Sequence, residues 1–176
     1  MKKLLAVILA VAVCFSLAAC VMEKEPIKDT PDTTSQSEGT NSQTAKKSFG
    51  LNETAVFSNL KFTASEFKES NGANYFTPQD GNVFVGVKFT IENISDTEQN
   101  ISSLLFFEGY ADDVKCSYSI SAVCAFDSIT LDGSIAPGKK LVGWYALEIP
   151  ENWSTVEIDV KASIMSSKQA KFVFTK

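Results

Sequence analysis

This sequence predicts an all-β fold, an antiparallel β-sandwich of about seven to eight strands, and three observations lead to that prediction. Apolar and polar residues alternate with a period of two through most of residues 50–176, as they do in strands with one buried face. Turn-forming pairs such as Asp132-Gly133 and Pro137-Gly138 separate these runs at short intervals. The chain also contains 13 Phe, and aromatic side chains suit packed sheets.

The clearest predicted strand covers residues 82–93. Its core-facing residues are predicted to be Val83, Val85, Val87, Phe89 and Ile91. The opposite, solvated face would carry Phe84, Gly86, Lys88, Thr90 and Glu92. Weaker alternation predicts further strands within residues 60–65, 104–110, 114–120, 141–149, 156–160 and 172–174. Residues 121–128 fit neither strand nor helix periodicity, and we interpret them as a loop or a short irregular strand.

The first 19 residues have the pattern of a signal peptide. Lys2 and Lys3 form a short positive region, and residues 4–16 form an apolar stretch too short to span a bilayer. Small residues then lead to a cysteine in Leu17-Ala18-Ala19-Cys20. An ordinary secretory signal with a chance cysteine is the alternative interpretation of this segment.

This ending resembles the bacterial lipobox. The resemblance implies that Cys20 receives a diacylglyceryl group and that cleavage leaves Cys20 as the first residue. Acyl chains such as palmitate would then hold the mature protein on the extracellular side of the cell membrane, because two or more chains give stable attachment. Cys20 is therefore the predicted lipidation site.

Residues 20–49 are predicted to be the lipid anchor followed by a flexible tether. The segment is rich in Ser, Thr, Gln and charged residues, and most of it lacks aromatic side chains. Such a composition buries too little apolar area to offset the entropy of ordering. The folded domain would then be residues 50–176.

Two motifs in this domain resemble a known family. One is the strand of residues 81–87 running into Ile91-Glu92-Asn93; the other is residues 131–140, with its Pro137-Gly138 turn. Both are similar to the immunoglobulin-like domain of unknown function in bacterial lipoproteins, akin to a mycobacterial immunoprotective extracellular protein. The resemblance implies an immunoglobulin-like sandwich and supplies no catalytic or ligand residues.

Composition argues against several classes of function. The chain has no His, and all 16 of its basic residues are Lys. A Ser–His–Asp triad is therefore impossible, and a zinc site is not expected. A net charge of −5 without Arg does not favour binding to nucleic acid. We expect no enzymatic activity, no cofactor and no metal, although carboxylate pairs for a wall-glycan hydrolase stay open as a less favoured alternative.

Cysteines and aspartates give two further candidates. Cys116 and Cys124 lie in an exported domain, where a disulfide between them is possible, and two free thiols are the alternative. Calcium could bind four turn aspartates, but turn aspartates more often cap backbone groups. These four are Asp112, Asp113, Asp127 and Asp132.

Four aromatic residues form the candidate binding surface: Tyr75, Phe76, Trp144 and Trp153. Exposed and clustered, they would mark an interaction site, whereas buried they would fill the core. We therefore expect a non-enzymatic binding or interaction module of the cell envelope, tethered to the surface. Its partner would be an envelope protein or glycan of unknown identity. A structural or accessory lipoprotein without its own ligand is the alternative.

Overall fold

A computed structural model describes residues 27–28, 48–165 and 167–176 of the chain. Within this described part, the chain forms eleven strands and two short helices. The strands are β1 (Ile27–Lys28), β2 (Thr54–Val56), β3 (Leu60–Ser70), β4 (Asn82–Asn93), β5 (Gln99–Ile101), β6 (Phe107–Ala111), β7 (Val114–Cys116), β8 (Gly133–Ile135), β9 (Lys140–Pro150), β10 (Thr155–Lys161) and β11 (Gln169–Thr175). The helices are α1 (Ser103–Phe106) and α2 (Ile120–Ala125).

Two antiparallel sheets face each other. The first has the order β1-β2-β3-β4-β9 and the second β11-β10-β6-β7, while β5 and β8 form a separate pair. Aromatic rings join the two layers: Phe89 of β4 contacts Phe107 at 5.3 Å and Phe172 at 5.1 Å between ring centroids. The predicted antiparallel sandwich is therefore confirmed, with more strands than predicted because several are only two or three residues long.

Strand β4 has the face assignment that the sequence predicts. Its five core-facing side chains are all at most 1 % exposed. The strand pairs along its length with β3 on one side and β9 on the other, which fixes its register. Lys88, Thr90 and Glu92 on the opposite face are only half exposed, and Phe84 is fully buried. The outer face is thus covered in part, against expectation.

Helix α2 provides that cover, and it replaces the loop predicted for residues 121–128. The side chain of Ser119 caps the helix by accepting a hydrogen bond from the Ala122 amide at 3.2 Å. Ala122, Val123 and Ala125 then pack with Phe84, Trp144 and Ala146 in a second small core. The six residues of the helix are too few to show helical periodicity in sequence.

Two glycines let this helical segment approach the sheet. A Cβ at Gly86 would lie 2.6 Å from the Phe126 ring, and a Cβ at Gly143 would lie 2.4 Å from the Thr130 carbonyl oxygen. Residues 118–130, which we call the strap, therefore fit against β4 and β9 only because these positions lack side chains. The strap also bonds to the outer edge of β9 through Ser119 and Ile129.

The folded part begins before residue 50. Phe49 is 2 % exposed, and its backbone exchanges two hydrogen bonds of 2.8 Å with Lys171 and Val173 of β11. Within the predicted tether, β1 pairs antiparallel with β2. Strands β2 and β11 would otherwise be sheet edges, where unpaired backbone groups accept another strand. The predicted signal peptide, Cys20 and the rest of the predicted tether lie outside the described residues.

Candidate functional site

The structure does not bring the four candidate aromatic residues together. Trp144 is fully buried under the strap, where its ring stacks on Phe126 at 4.8 Å. Trp153 is 3 % exposed, and its indole N–H donates to Glu69 at 2.8 Å. The prediction that both tryptophans lie on a binding surface is therefore wrong. Trp144 lies on an outer face, as its alternation requires, but α2 and Phe126 cover that face.

Tyr75 and Phe76 remain at the surface, at the tip of the hairpin between β3 and β4. Tyr75 is 98 % exposed and Phe76 is 36 % exposed. Ala73 and Phe76 exchange two backbone hydrogen bonds, of 2.9 and 3.0 Å, around a tight turn. Asn74 has a positive φ of 56° in this turn, a conformation that Asn tolerates well. The Tyr75 ring therefore projects into solvent from a turn that backbone hydrogen bonds hold in place.

Hydrogen bonds to a side chain of β9 also fix the base of this hairpin. The Glu148 carboxylate accepts hydrogen bonds from the Gln79 amide at 2.8 Å and from the Asn82 side chain at 3.0 Å. Gly72 has a φ of +102°, and a Cβ there would meet the Phe76 carbonyl oxygen at 2.4 Å. The loop conformation consequently depends on glycine at this position.

Cys116 and Cys124 are both free thiols in the structure, in place of the disulfide that the sequence suggested. Cys116 ends β7, and its thiol donates to the Val114 carbonyl at 3.3 Å. Cys124 lies on α2, which packs against the outer face of β9. Burial raises the pKa of Cys116, so this thiol is protonated and poorly nucleophilic at neutral pH.

The four turn aspartates do not assemble into a calcium site. Asp112 accepts from the Ser154 and Thr155 amides, and Asp132 accepts from the Ser103 amide and hydroxyl. Asp127 accepts from the Trp144 indole and from Lys88, each at 3.1 Å. These contacts are the capping and anchoring roles that turn aspartates usually have. Among the described residues, no group of three or more His, Cys, Asp or Glu side chains is placed to hold a metal ion.

A cavity of about 220 Å³ opens between β7 and β9, at one side of the sandwich. The rings of Phe107, Tyr145 and Tyr118 form a stacked column along it, with centroid separations of 5.2 and 5.4 Å. Ser103 and Leu104 of α1 line it, and so does Cys116. Glu108, Lys115 and Ser117 complete the lining.

One of the residues that line the cavity carries an unusual polar group. The Tyr118 hydroxyl is buried and has no hydrogen-bond partner among the described residues. The Ser103 hydroxyl, which donates to Asp132 at 3.0 Å, also acts on Tyr118 through a hydrogen bond that falls short of standard geometry and lowers its pKa. Burial raises the pKa of both Tyr118 and Tyr145, so both phenols stay protonated.

This cavity was not predicted from the sequence. Its residues come from five different elements and meet only through the fold. The one available signal was Tyr145, which the alternation places on the core-facing side of β9, where a phenol hydroxyl needs a partner or access to water.

The outer face of the second sheet carries charged side chains. Glu108 is bonded to Lys161 at 2.7 Å and to the Tyr110 hydroxyl at 3.2 Å, and these contacts lower its pKa. Asp159 on the neighbouring strand is only 5 % exposed, and one of its oxygens has no partner in the described part. Burial raises the pKa of Asp159.

Fold and surface together define a β-sandwich domain that displays an aromatic hairpin tip and a small lateral cavity. The chain belongs to the family of the domain of unknown function DUF4352, whose model matches residues 49–171. No curated protein is similar enough to count as a match. Among the described residues, no helix has the length and apolar character needed to cross a membrane.

Three solved structures share the fold. A Bacillus subtilis protein, ycdA, provisionally described as a lipoprotein, has a TM-score of 0.54 and 15% identity; the match covers 66% of this chain and 36% of that one. This chain therefore spans about a third of the length of ycdA. An uncharacterized β-sandwich protein of Clostridium difficile has a TM-score of 0.51 and 17% identity, and the match covers 78% of this chain and 99% of that one. A Staphylococcus aureus protein, also provisionally described as a lipoprotein, has a TM-score of 0.50 and 17% identity, and the match covers 69% of this chain and 87% of that one.

Proposed function

We propose that this protein is a non-enzymatic interaction module, anchored by lipid at Cys20 on the extracellular side of the cell membrane. The lipobox-like ending at Cys20 supports the anchor, as do the two structural neighbours provisionally described as lipoproteins. Closer kinship with the mycobacterial immunoprotective extracellular protein stays a prediction, because none of the comparisons supports it.

The observation that carries the interaction role is the exposure of Tyr75. An aromatic side chain that is 98 % exposed leaves much apolar surface in contact with water, and it contributes no burial to the stability of the fold. Tyrosine on a held turn is also an efficient contact residue, since its ring offers a large area with few rotatable bonds to order. We therefore place the contact surface at the hairpin tip and expect an envelope protein as the partner.

The strand carboxylates support a role without catalysis. Glu92 pairs with Lys140 at 3.3 Å, Glu108 pairs with Lys161, and Glu148 accepts from Gln79 and Asn82. Each carboxylate thus has a structural partner on the outer face of a sheet. Glycosidases instead need two carboxyl groups that face each other across a cleft.

Site-specific photo-crosslinking in living cells tests the proposal. A benzophenone amino acid would replace Tyr75 in the full-length protein or, as a matched control, Met165, which is 96 % exposed at the opposite end of the sandwich. We expect a discrete crosslinked protein with the probe at position 75 and none with the probe at 165. Equal products from both positions, or a product from 165 alone, would refute the assignment of the hairpin tip.

A further inference from the structure

Strand β1 shows from which end of the sandwich the chain after Cys20 reaches the domain. It pairs antiparallel with β2, and β2 pairs antiparallel with β3, so β1 runs parallel to β3. Ile27 lies opposite Val56, and Val56 lies opposite Lys61, the second residue of β3. The chain therefore enters β1 from the end of the sheet at which β3 begins.

The hairpin tip lies at the other end of the same sheet. β3 runs from Leu60 to Ser70, and Tyr75 follows in the loop that leads to β4. The nine steps from Lys61 to Ser70 cover roughly 30 Å at about 3.3 Å per residue. The hairpin tip is therefore separated by most of the length of the sandwich from the point where the chain enters β1.

The loop between β10 and β11 lies at the end where the chain enters β1. The far ends of these two strands are near the hairpin tip, because Trp153 and Lys176 contact Glu69 at 2.8 and 3.4 Å. In the loop itself, Ile164 is 62 % exposed and Met165 is 96 % exposed. This end of the sandwich thus presents apolar side chains, which a lipid interface accepts more favourably than water does.

The reach of the chain decides which end can face a bilayer that holds Cys20. Seven Cα–Cα steps join Cys20 to Ile27, and at about 3.6 Å each they span at most about 25 Å. A domain standing with its hairpin tip on the bilayer would hold Ile27 roughly 30 Å above it, which is beyond this reach. Without the pairing of β1, the longer chain from Cys20 to Ser48 would span up to about 100 Å and would allow either orientation.

We propose that the pairing of β1 with β2 orients the domain on the membrane, with the Met165 end toward the bilayer and the hairpin tip directed away from it. This inference rests on the proposed lipid anchor at Cys20. It also deepens the role of the hairpin tip, because Tyr75 then meets a partner that lies farther from the membrane than the domain itself. The pairing is intramolecular, so it avoids the entropic cost of bringing two molecules together.

Energy transfer to a labelled lipid tests this orientation. The full-length lipidated protein would carry a fluorescent amino acid in place of Tyr75 or of Met165, both of which are almost fully exposed. It would be reconstituted into vesicles that contain an acceptor lipid with a short Förster distance. We expect transfer to be at least about twofold more efficient from position 165, because the two positions differ by roughly 30 Å along the sandwich.

The outcomes separate the orientation from the anchor. Equal transfer from both positions, or more transfer from position 75, would overturn the orientation and leave the anchor in place. Absence of transfer from both positions, with the protein recovered apart from the vesicles, would overturn the anchor at Cys20 and this orientation with it.

Two matched double variants test the part that β1 plays. Proline has no backbone N–H and disrupts strand pairing, so Ile27→Pro with Lys28→Pro should make transfer equal from the two positions. Thr33→Pro with Thr34→Pro adds the same number of prolines outside β1 and should preserve the difference. A difference that persists without β1 would show that another feature orients the domain, and would refute the proposal.

Discussion

Substitution of Gly86 by Ala tests whether the strap packs on the sheet as described. Gly86 lies on the outer face of β4, beneath the Phe126 ring that stacks on Trp144. An added Cβ would stand 2.6 Å from one carbon of the Phe126 ring and 3.0 Å from the Trp144 ring. Carbon atoms pack at about 3.5–4.0 Å, so Phe126 or the strap must move away.

The structure gives the size of the expected effect. Overpacking of this kind typically costs about 1–3 kcal/mol, while replacing Gly by Ala within a strand returns about 0.5–1 kcal/mol of backbone entropy. We therefore expect Gly86→Ala to lower the free energy of unfolding by roughly 1–2 kcal/mol. Gly50→Ala is the matched control, because no atom lies within 4 Å of a Cβ built there, and its effect should stay within about 0.5 kcal/mol.

Urea unfolding of both variants measures this difference, and tryptophan emission reports on the strap. Movement of Phe126 would let water reach Trp144 and shift its emission to the red. In a Phe126→Ala background the added methyl should cost little, which gives a coupling energy of roughly 1–2 kcal/mol. Equal stability of Gly86→Ala and Gly50→Ala, with unchanged emission, would show that the strap does not contact β4.

Three other predictions follow from the core, from a buried acid and from the anchor. Val87→Asp should lower the free energy of unfolding by at least about 3 kcal/mol, because its carboxylate would be buried without a partner, whereas Thr90→Asp on the opposite face should cost less than about 1 kcal/mol in the same urea melts. Asp159 has a raised pKa when folded, so the folded state binds its proton more tightly and stability falls as pH rises from 3.8 through the raised value. Asp159→Asn should therefore stabilise the protein at pH 7 by up to about 1 kcal/mol and lose that advantage below pH 3.8, and an advantage that persists in acid would contradict this explanation. Cys20→Ala should abolish incorporation of labelled palmitate and release the protein from the membrane or leave an uncleaved precursor; wild-type protein that takes up no label would refute the anchor.

Sequence alone was enough to predict the sandwich and the faces of its longest strand. The period of two in β4 is strict, and a slip of one residue would place Val83, Val87 and Ile91 in water. Hydrophobic burial therefore fixes the register of that strand before any partner strand is known. The missing His also argues against a Ser–His–Asp triad, while the absence of a nucleic-acid site, argued from the charge, stays a prediction.

Only the tertiary structure decided which outer faces are covered. Trp144 and Phe84 alternate as surface residues should, and they are buried because α2 lies on them. A helix of six residues has fewer than two turns, so it shows no periodicity and is stabilised by packing more than by its own propensity. The role of Gly86 was also decided by the tertiary structure, because this glycine makes room for the Phe126 ring and does not form a turn.

Of the two candidate sites, the hairpin tip could be predicted from the sequence and the cavity could not. Tyr75 could be named from its sequence because a turn between two strands exposes its side chains in almost any sandwich. Ser103, Tyr118 and Tyr145 are far apart in the chain, and their contact depends on how α1 and the strap pass beside β9. Sequence patterns report burial along one element, whereas an unpaired hydroxyl is a property of every group around it, and that is decided by long-range packing.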